Sequence, residues 1–341
     1  MPDRPTPRFS VVIPVHNEEA DVRELAERVS TELETLSGGY EILFIDDGST
    51  DATWLQLKDL ADPGRIRLIK FRRNYGKAAA LMAGFAVTRG ELVFTMDGDL
   101  QDDPREIPRF LVKMEEGFDL VSGWKKRRFD PMGKVIPSRI FNFVVRKATG
   151  LDLHDMNCGF KCYKGKLARE VRIYGELHRY IPALAHHEGY QVGEIEVRHH
   201  PRLHGQSKYG LSRLFKGFVD LVTVLLKTEY RTRPAHGFGW VALACAALGM
   251  LTGLSSVVAA GMIGFMTGAG GPGYDSGINS LLSTFAAGSG NPLAWGLALK
   301  SLFFWIASVI IMAAGWVAEV AIQAPLEAAP AAQYRIEESL D

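Results

Sequence analysis

Cysteine is scarce in this chain. The three present, Cys158, Cys162 and Cys245, fit a reduced cytosolic or membrane environment better than a disulfide scaffold. Cys158 and Cys162 lack a second ligand pair at zinc-like spacing, so buried small hydrophobes are the expected role. A charge surplus is absent too: 39 Lys and Arg balance 39 Asp and Glu, which removes any global pull toward nucleic acid. Met1 to Arg8 is polar and proline-rich, without the apolar stretch of a secretory signal. Residues ahead of any later membrane segment are therefore expected to stay on the side where they are made.

Charge itself is missing from one long region. The chain is densely charged to about Arg233, but from Pro234 to Pro325 only Asp275, Lys300 and Glu319 carry formal charge. Phe238 to Met266 is uncharged and, as a helix, reaches about 43 Å, enough to cross a bilayer core of about 30 Å. Ser301 to Ala318 is a second uncharged run. Two spans are expected, with Gly249 and Gly253 forming a GxxxG step suited to close helix approach. Lys208, Arg213, Lys216, Lys227, Arg231 and Arg233 crowd the side before the first span, and the loop between the spans has only Lys300, at its end. The positive-inside rule then puts the large domain and the C-terminus in the cytoplasm, and the Gly- and Ser-rich loop at about 267–299 outside.

Ahead of this region the pattern is that of alternating strands and helices. FSVVIPV (Phe9 to Val15) is a short apolar run typical of a buried parallel strand. From Glu18 to Leu36, apolar residues recur at three and four, as in a helix. Further strands are predicted at Glu41 to Asp47, Arg65 to Phe71 and Glu91 to Met96. Helices are predicted from a cap at Ser49 or Thr50 to Leu60, and over Gly76 to Thr88. The alternation implies an α/β fold with a mostly parallel sheet, whose ligands bind beyond the carboxyl ends of the strands. Val135 to Thr149 and Tyr209 to Leu226 differ in character. The second is a basic amphipathic helix directly before the first span, which reads as lying on the membrane surface; docking on the sheet is the alternative.

The acidic residues cluster at those strand ends. In MDGDLQDDP (Met96 to Pro104), Asp97 and Asp99 stand one residue apart where two carboxylates can share one hard divalent cation, and Gln101 adds a neutral oxygen. The same Asp-Gly-Asp is also compatible with a simple turn. IDDGSTD (Ile45 to Asp51) places Asp46 and Asp47 where carboxylates accept hydrogen bonds from a base or ribose, alongside helix capping by Ser49 and Asp51. VHNEE (Val15 to Glu19) follows the first strand in the same way; His16 reads as a loop residue.

In order, VVIPVHNEE, IDDGSTD, NYGKAAALMAGF, MDGDLQDDP, DMNCGFKCY and HGQSKYG resemble family 2 glycosyltransferases of the GT-A (Rossmann-like) fold. More narrowly the chain resembles the polyprenyl-phosphate glycosyltransferases, the dolichol-phosphate mannose synthase and GtrB-like group. The resemblance implies a metal and diphosphate site at Asp97, Asp99 and Gln101, taking Mg2+ or Mn2+, and nucleotide contacts at Pro14, Glu18 and Asp47. It places Arg202 and Lys208 as cations that clamp phosphates, and Lys134 and Ser138, with Arg202, at the acceptor phosphate. Lys134 departs from the family's usual Arg, keeping the charge without the bidentate fork. Asp155 of DMNCGF falls where relatives have a residue sometimes treated as a base. A phosphate monoester has a second pKa of about 6 and is already mostly dianionic at neutral pH, so positioning is its expected role.

The implied protein has a cytoplasmic GT-A domain over 1–200, an acceptor loop and interfacial helix over 201–236, a two-helix hairpin over 237–323 and a cytoplasmic tail over 324–341. It is expected in the bacterial inner membrane, moving one sugar from a UDP- or GDP-sugar to polyprenyl phosphate, undecaprenyl phosphate above all, with inversion. Relatives suggest a homotetramer. The rivals are a processive polysaccharide synthase and an inactive nucleotide-sugar-binding scaffold. No Trp follows an Arg here, so the Q/R-x-x-R-W signature of the first is missing.

Overall fold

The structure is a computed structural model and describes residues 6–126, 142–173, 175, 177–201, 221, 224, 234–266, 292–323 and 336–340. The chain forms two compact units, one of Met1–Thr228 with Ala328–Asp341, the other of Glu229–Glu327.

The first unit is built on one sheet. Its strands are β1 (Phe9–Val15), β2 (Tyr40–Asp46), β3 (Ile66–Phe71), β4 (Leu92–Thr95), β5 (Leu120–Trp124), β6 (Lys161–Lys164), β7 (Val192–Glu196) and β8 (Ile336–Leu340). They lie in the order β7-β5-β6-β4-β1-β2-β3-β8. Neighbours β4, β1, β2 and β3 are parallel, with Phe9 opposite Tyr40 and Leu92. β6 runs antiparallel to β4 and β5, and β8 antiparallel to β3. The helices are α1 (Val22–Glu34), α2 (Thr53–Leu60), α3 (Lys77–Val87), α4 (Ile107–Glu115), α5 (Gly165–Glu170) and α6 (Ile181–His187).

Side chains alternate across the strands, so each face of the sheet has its own core. Val11, Ile13, Phe44 and Phe94 pack with Leu25, Val29, Leu57 and Phe110 on one face. Val12, Leu43, Ile45 and Val93 pack with Ala79, Ala83 and Phe85 of α3 on the other. Both faces being covered explains why β1 and β2 read as continuous apolar runs. Cys158 and Cys162 are buried in the first of these cores, as expected of small hydrophobes. Of the caps predicted for α2, Asp51 is engaged at the helix start, and Ser49 and Thr50 bond to Asn17 instead. The helix starts at Thr53, and the Asp51 carboxylate accepts the Thr53 N–H at 3.0 Å. The Ser49 hydroxyl accepts the Asn17 N–H at 3.0 Å, lacing the loop after β1 to the loop after β2.

Residues 142–149 are helical, and Val145 is buried in the α3-side core. Of the amphipathic segment Tyr209 to Leu226, only Leu221 and Val224 are described. Both are buried in that same core, so these two positions take the docked alternative. The segment expected to be a tail contributes β8. Glu338 accepts the Trp54 indole N–H at 3.1 Å and pairs with Lys58 at 2.7 Å, and Glu337 pairs with Lys70 at 3.3 Å.

The second unit contains α7 (Pro234–Met266) and α8 (Pro292–Gln323). Each carries a stretch long and apolar enough to cross a membrane, Ala235–Ala259 and Gly296–Val317. Because α8 begins at Pro292, the loop expected over 267–299 is shorter than predicted. Gly249 and Gly253 serve contact inside this pair of helices: the Ser301 hydroxyl donates to the Gly249 carbonyl at 2.7 Å. Trp240, Leu243, Leu254, Phe303, Ile310 and Trp316 are exposed on the outer surfaces, an apolar area that water does not favour.

Candidate active site

Parallel strands β1, β2 and β4 end side by side, and their following residues carry the acids predicted from sequence. After β1, Pro14 is half-buried, and the Glu18 N–H donates to the Thr53 hydroxyl at 2.9 Å. At the end of β2, Asp46 is fully buried and its Oδ1 accepts the Ser49 N–H at 2.9 Å. Its Oδ2 is buried with no hydrogen-bond partner among the described residues. The Asp47 carboxylate accepts two backbone N–H groups, from Tyr75 at 2.6 Å and Gly76 at 2.9 Å. Burial holds both carboxyls above their ordinary value despite these bonds. Gly48 makes the turn possible: φ is +69°, and a Cβ there would lie 2.3 Å from the Arg73 carbonyl carbon.

β4 leads into Asp97 and Asp99. Asp97 is half-buried, and the Lys77 ammonium donates to its Oδ1. The Asp97 N–H donates to Asp102 at 3.2 Å, and Asp102 pairs with Lys125 at 2.9 Å. Asp99 is buried, and its Oδ1 accepts the Gln101 N–H at 3.3 Å. The Gln101 side-chain amide donates to the His200 carbonyl at 3.2 Å, tying the acidic loop to the residues just ahead of Arg202. Gly159 allows the DMNCGF segment to approach, since a Cβ on it would lie 2.5 Å from the Asp97 carboxylate. Asp155 is buried; its N–H donates to Glu194 at 2.9 Å and it accepts the Asn157 N–H at 3.2 Å.

Three lysines surround this acidic group, and the sequence reading assigned none of them a role. Burial alone would raise the Asp97 carboxyl, but Lys77, Lys125 and Lys161 outweigh it and hold the group well below its ordinary value. Burial would lower the ammonium of Lys77, which Asp97 instead holds above its ordinary value; Lys125 is held well above it, chiefly by Asp102. Lys161, donating to the Cys158 carbonyl, is pushed down by burial and then by Lys77. His178 is pushed well below its ordinary value by burial, then by Lys77, Arg179 and Lys161, and is therefore neutral. Burial takes the Cys158 thiol up to about 12, which rules out a thiolate nucleophile at neutral pH. Sequence holds only a faint signal for Lys77: a lysine opening a helix is disfavoured by the macrodipole, by about 1 kcal/mol or less.

Asp46 and Asp47 thus stand at the end of β2, and Asp97, Asp99 and Gln101 beyond the end of β4, with β1 between the two strands. Lys134, Ser138, Arg202 and Lys208 lie outside the described residues. No three His, Cys, Asp or Glu side chains converge as a metal cage among the described residues. A cavity of about 750 Å3 is lined by Glu24, Arg28, Leu100, Asp103, Arg105 and His200. None of these is a predicted site residue.

The fold is shared with solved sugar transferases. Mannosyl-3-phosphoglycerate synthase from Rubrobacter xylanophilus matches with a TM-score of 0.54 at 18% identity, covering 65% of this chain and 75% of that one. Glucosyl-3-phosphoglycerate synthase from Mycobacterium tuberculosis, in complex with Mn2+ and UDP-glucose, matches with a TM-score of 0.50 at 21% identity, covering 65% and 79%. These define the sheet as that of a GT-A fold.

Residues 10–172 match the model of glycosyl transferase family 2. Dodecaprenyl-phosphate galacturonate synthase of Rhizobium johnstonii is 40% identical over 251 residues, 71% of this chain and 74% of that one. Undecaprenyl-phosphate 4-deoxy-4-formamido-L-arabinose transferase of Pseudomonas paraeruginosa is 38% identical over 241 residues, 70% and 71%. The chain belongs to glycosyl transferase family 2, in its polyprenyl-phosphate glycosyltransferase group.

Proposed function

We propose that this glycosyltransferase moves a single sugar from a nucleotide sugar to a membrane polyprenyl phosphate, undecaprenyl phosphate in a bacterial inner membrane. The observation that carries the reading is the set of carboxylates at the ends of β2 and β4, on either side of β1, in a chain whose relatives are named for polyprenyl-phosphate products. The unpaired Oδ2 of Asp46 is suited to accept a hydroxyl or ring N–H of the nucleotide, which would satisfy an otherwise costly buried acceptor.

The step is one displacement. An oxygen of the lipid phosphate attacks the anomeric carbon, the bond from that carbon to the diphosphate oxygen breaks, and the electron pair leaves on the nucleoside diphosphate, with inversion. No enzyme nucleophile is needed, and a dianionic acceptor needs little help from a base. Asp155, buried, with its carboxylate accepting the Asn157 N–H and its own N–H donating to Glu194, suits positioning. Mg2+ or Mn2+ held by Asp97, Asp99 and Gln101 would neutralise charge on the leaving diphosphate. The donor set fits in its chemistry: hard oxygens, with the Asp97 carboxylate partly exposed and paired with the Lys77 ammonium. Arg202 and Lys208 would add positive charge on the same diphosphate, and Lys134 and Ser138 would meet the acceptor phosphate.

Two exposed apolar helices support a membrane anchor. β8 joins the sheet that contains β1, which supports both flanks of the helix pair lying on one side, the cytoplasmic side by the positive-inside rule.

The test supplies full-length protein with polyprenyl phosphate and labelled UDP- or GDP-sugars. A lipid carrying one sugar is expected, with activity lost in EDTA and in the Asp97→Ala Asp99→Ala variant. A polymeric product, or donor binding without turnover, would refute the proposal, and full activity of that variant in EDTA would refute the metal role.

A further inference from the structure

We propose that Lys77 is the resident counter-cation of Asp97 and sets how tightly that carboxylate takes a divalent metal ion. The inference rests on the metal-assisted reading above and goes beyond it in naming a residue that competes with the ion.

Lys77 is the first residue of α3, where a positive charge is disfavoured by the helix dipole. Its position is fixed from behind. The preceding amides of Tyr75 and Gly76 are gripped by Asp47, and Gly76 has a φ of +93°, a conformation that turns the chain sharply into the helix. The ammonium emerging from this turn meets Asp97 Oδ1 directly. The other two lysines of the cluster have contacts of their own: Lys125 pairs with Asp102 at 2.9 Å, and Lys161 donates to the Cys158 carbonyl. Among the described residues, Lys77 is the cation in contact with Asp97.

Lys77 holds Oδ1 of Asp97, and an ammonium there repels a divalent ion approaching the same carboxylate. The ion must displace Lys77 or bind against its charge. Both side chains are accessible enough for that exchange, at 32% and 31% exposure, and the lysine stem is long and flexible. The pair therefore keeps Asp97 ionised and oriented without the ion and lowers the net affinity for it. The lysine works as a positioning and competing residue, separate from the groups that touch the reacting atoms.

The experiment measures Mn2+ binding by electron paramagnetic resonance on full-length protein in detergent, without nucleotide or lipid. Lys77→Met and Lys77→Gln are expected to bind Mn2+ at least tenfold more tightly than the starting protein, equivalent to about 1.4 kcal/mol. Lys77→Arg, which keeps the charge, is expected to bind within about threefold of it, since the same electrostatic competition remains. Two neutral replacements of different shape guard against a misfolded variant, each checked by its thermal melt. Unchanged or weaker Mn2+ binding in the neutral variants, with binding still abolished by Asp97→Asn, overturns the competition and leaves the metal site standing. If Asp97→Asn leaves Mn2+ binding intact, the metal role of Asp97 falls and the competition with it.

Discussion

Asp47 holds Gly76 by its backbone amide at 2.9 Å, and with its other oxygen holds the neighbouring Tyr75 amide at 2.6 Å. A residue expected to meet nucleotide thus also fixes the start of α3, the helix that carries Lys77 to Asp97. In Asp47→Asn one of the two acceptors becomes a donor, so one N–H loses its partner at a cost of about 1–3 kcal/mol. Hydrogen exchange is expected to quicken at Tyr75 and Gly76 and through the first turn of α3. Amides of β1 should be unaffected. Unchanged exchange at residues 75–77 would show that Asp47 does not anchor them.

Glu41 offers a contrast, because it stabilises the fold from the opposite end of the sheet. It is the second residue of β2, is fully buried, and accepts the Ser10 hydroxyl at 2.6 Å, Arg67 at 3.0 Å and the Arg89 side chain at 2.9 Å. Burial alone would raise its carboxyl; the bonds from Ser10, Arg89 and Arg67 overcome that and hold it below its ordinary value. A carboxyl depressed by folding contributes stability that is complete above its unfolded pKa of about 4.3 and is lost as pH falls through the folded value. Glu41→Gln is therefore expected to cost about 3 kcal/mol at pH 7, lowering the melting temperature by roughly 6–12 °C. The gap from the starting protein should narrow below about pH 4. Sugar transfer by the variant, assayed well below its melting temperature, should be nearly normal. A gap that stays constant down to pH 3 would contradict the ionised cluster.

Much of this fold was legible because its signals are local. FSVVIPV announces β1 through its unbroken apolar run, and the acids Asp46, Asp47, Asp97 and Asp99 stand where strands stop. What was missed depends on contacts distant in sequence. Lys77 meets a carboxylate 20 residues away, and nothing local in NYGKAAALMAGF names that partner. Ile336–Leu340 has two glutamates in five residues and no alternation that marks a strand. Its place follows from Trp54, Lys58 and Lys70, which present matching groups along the β3 edge. The amphipathic stripe of Tyr209 to Leu226 was visible, but periodicity alone does not distinguish a protein core from a membrane surface. Leu221 and Val224 are buried in the core.

That C-terminal strand supplies a final prediction. Without β8, β3 would be an edge strand whose outward N–H and C=O groups lack partners, a surface prone to pairing with other chains. Leu68, Ile69, Lys70 and Phe71 are the positions that β8 covers. A chain ending at Arg335 is expected to show faster hydrogen exchange at the β3 amides directed toward β8, with those directed toward β2 still protected. Glu338→Lys is a milder disturbance: it removes the acceptor for the Trp54 indole and places like charge beside Lys58. It should move the same amides in the same direction, more weakly, and lower the melting temperature by a few degrees, as a loss of about 1 kcal/mol does. Equal protection of β3 in all three proteins would mean that β8 leaves that edge open in solution. Protection that falls only at the covered amides would place the C-terminal residues on the catalytic side of any membrane that α7 and α8 cross, since the strand can close the sheet only from there.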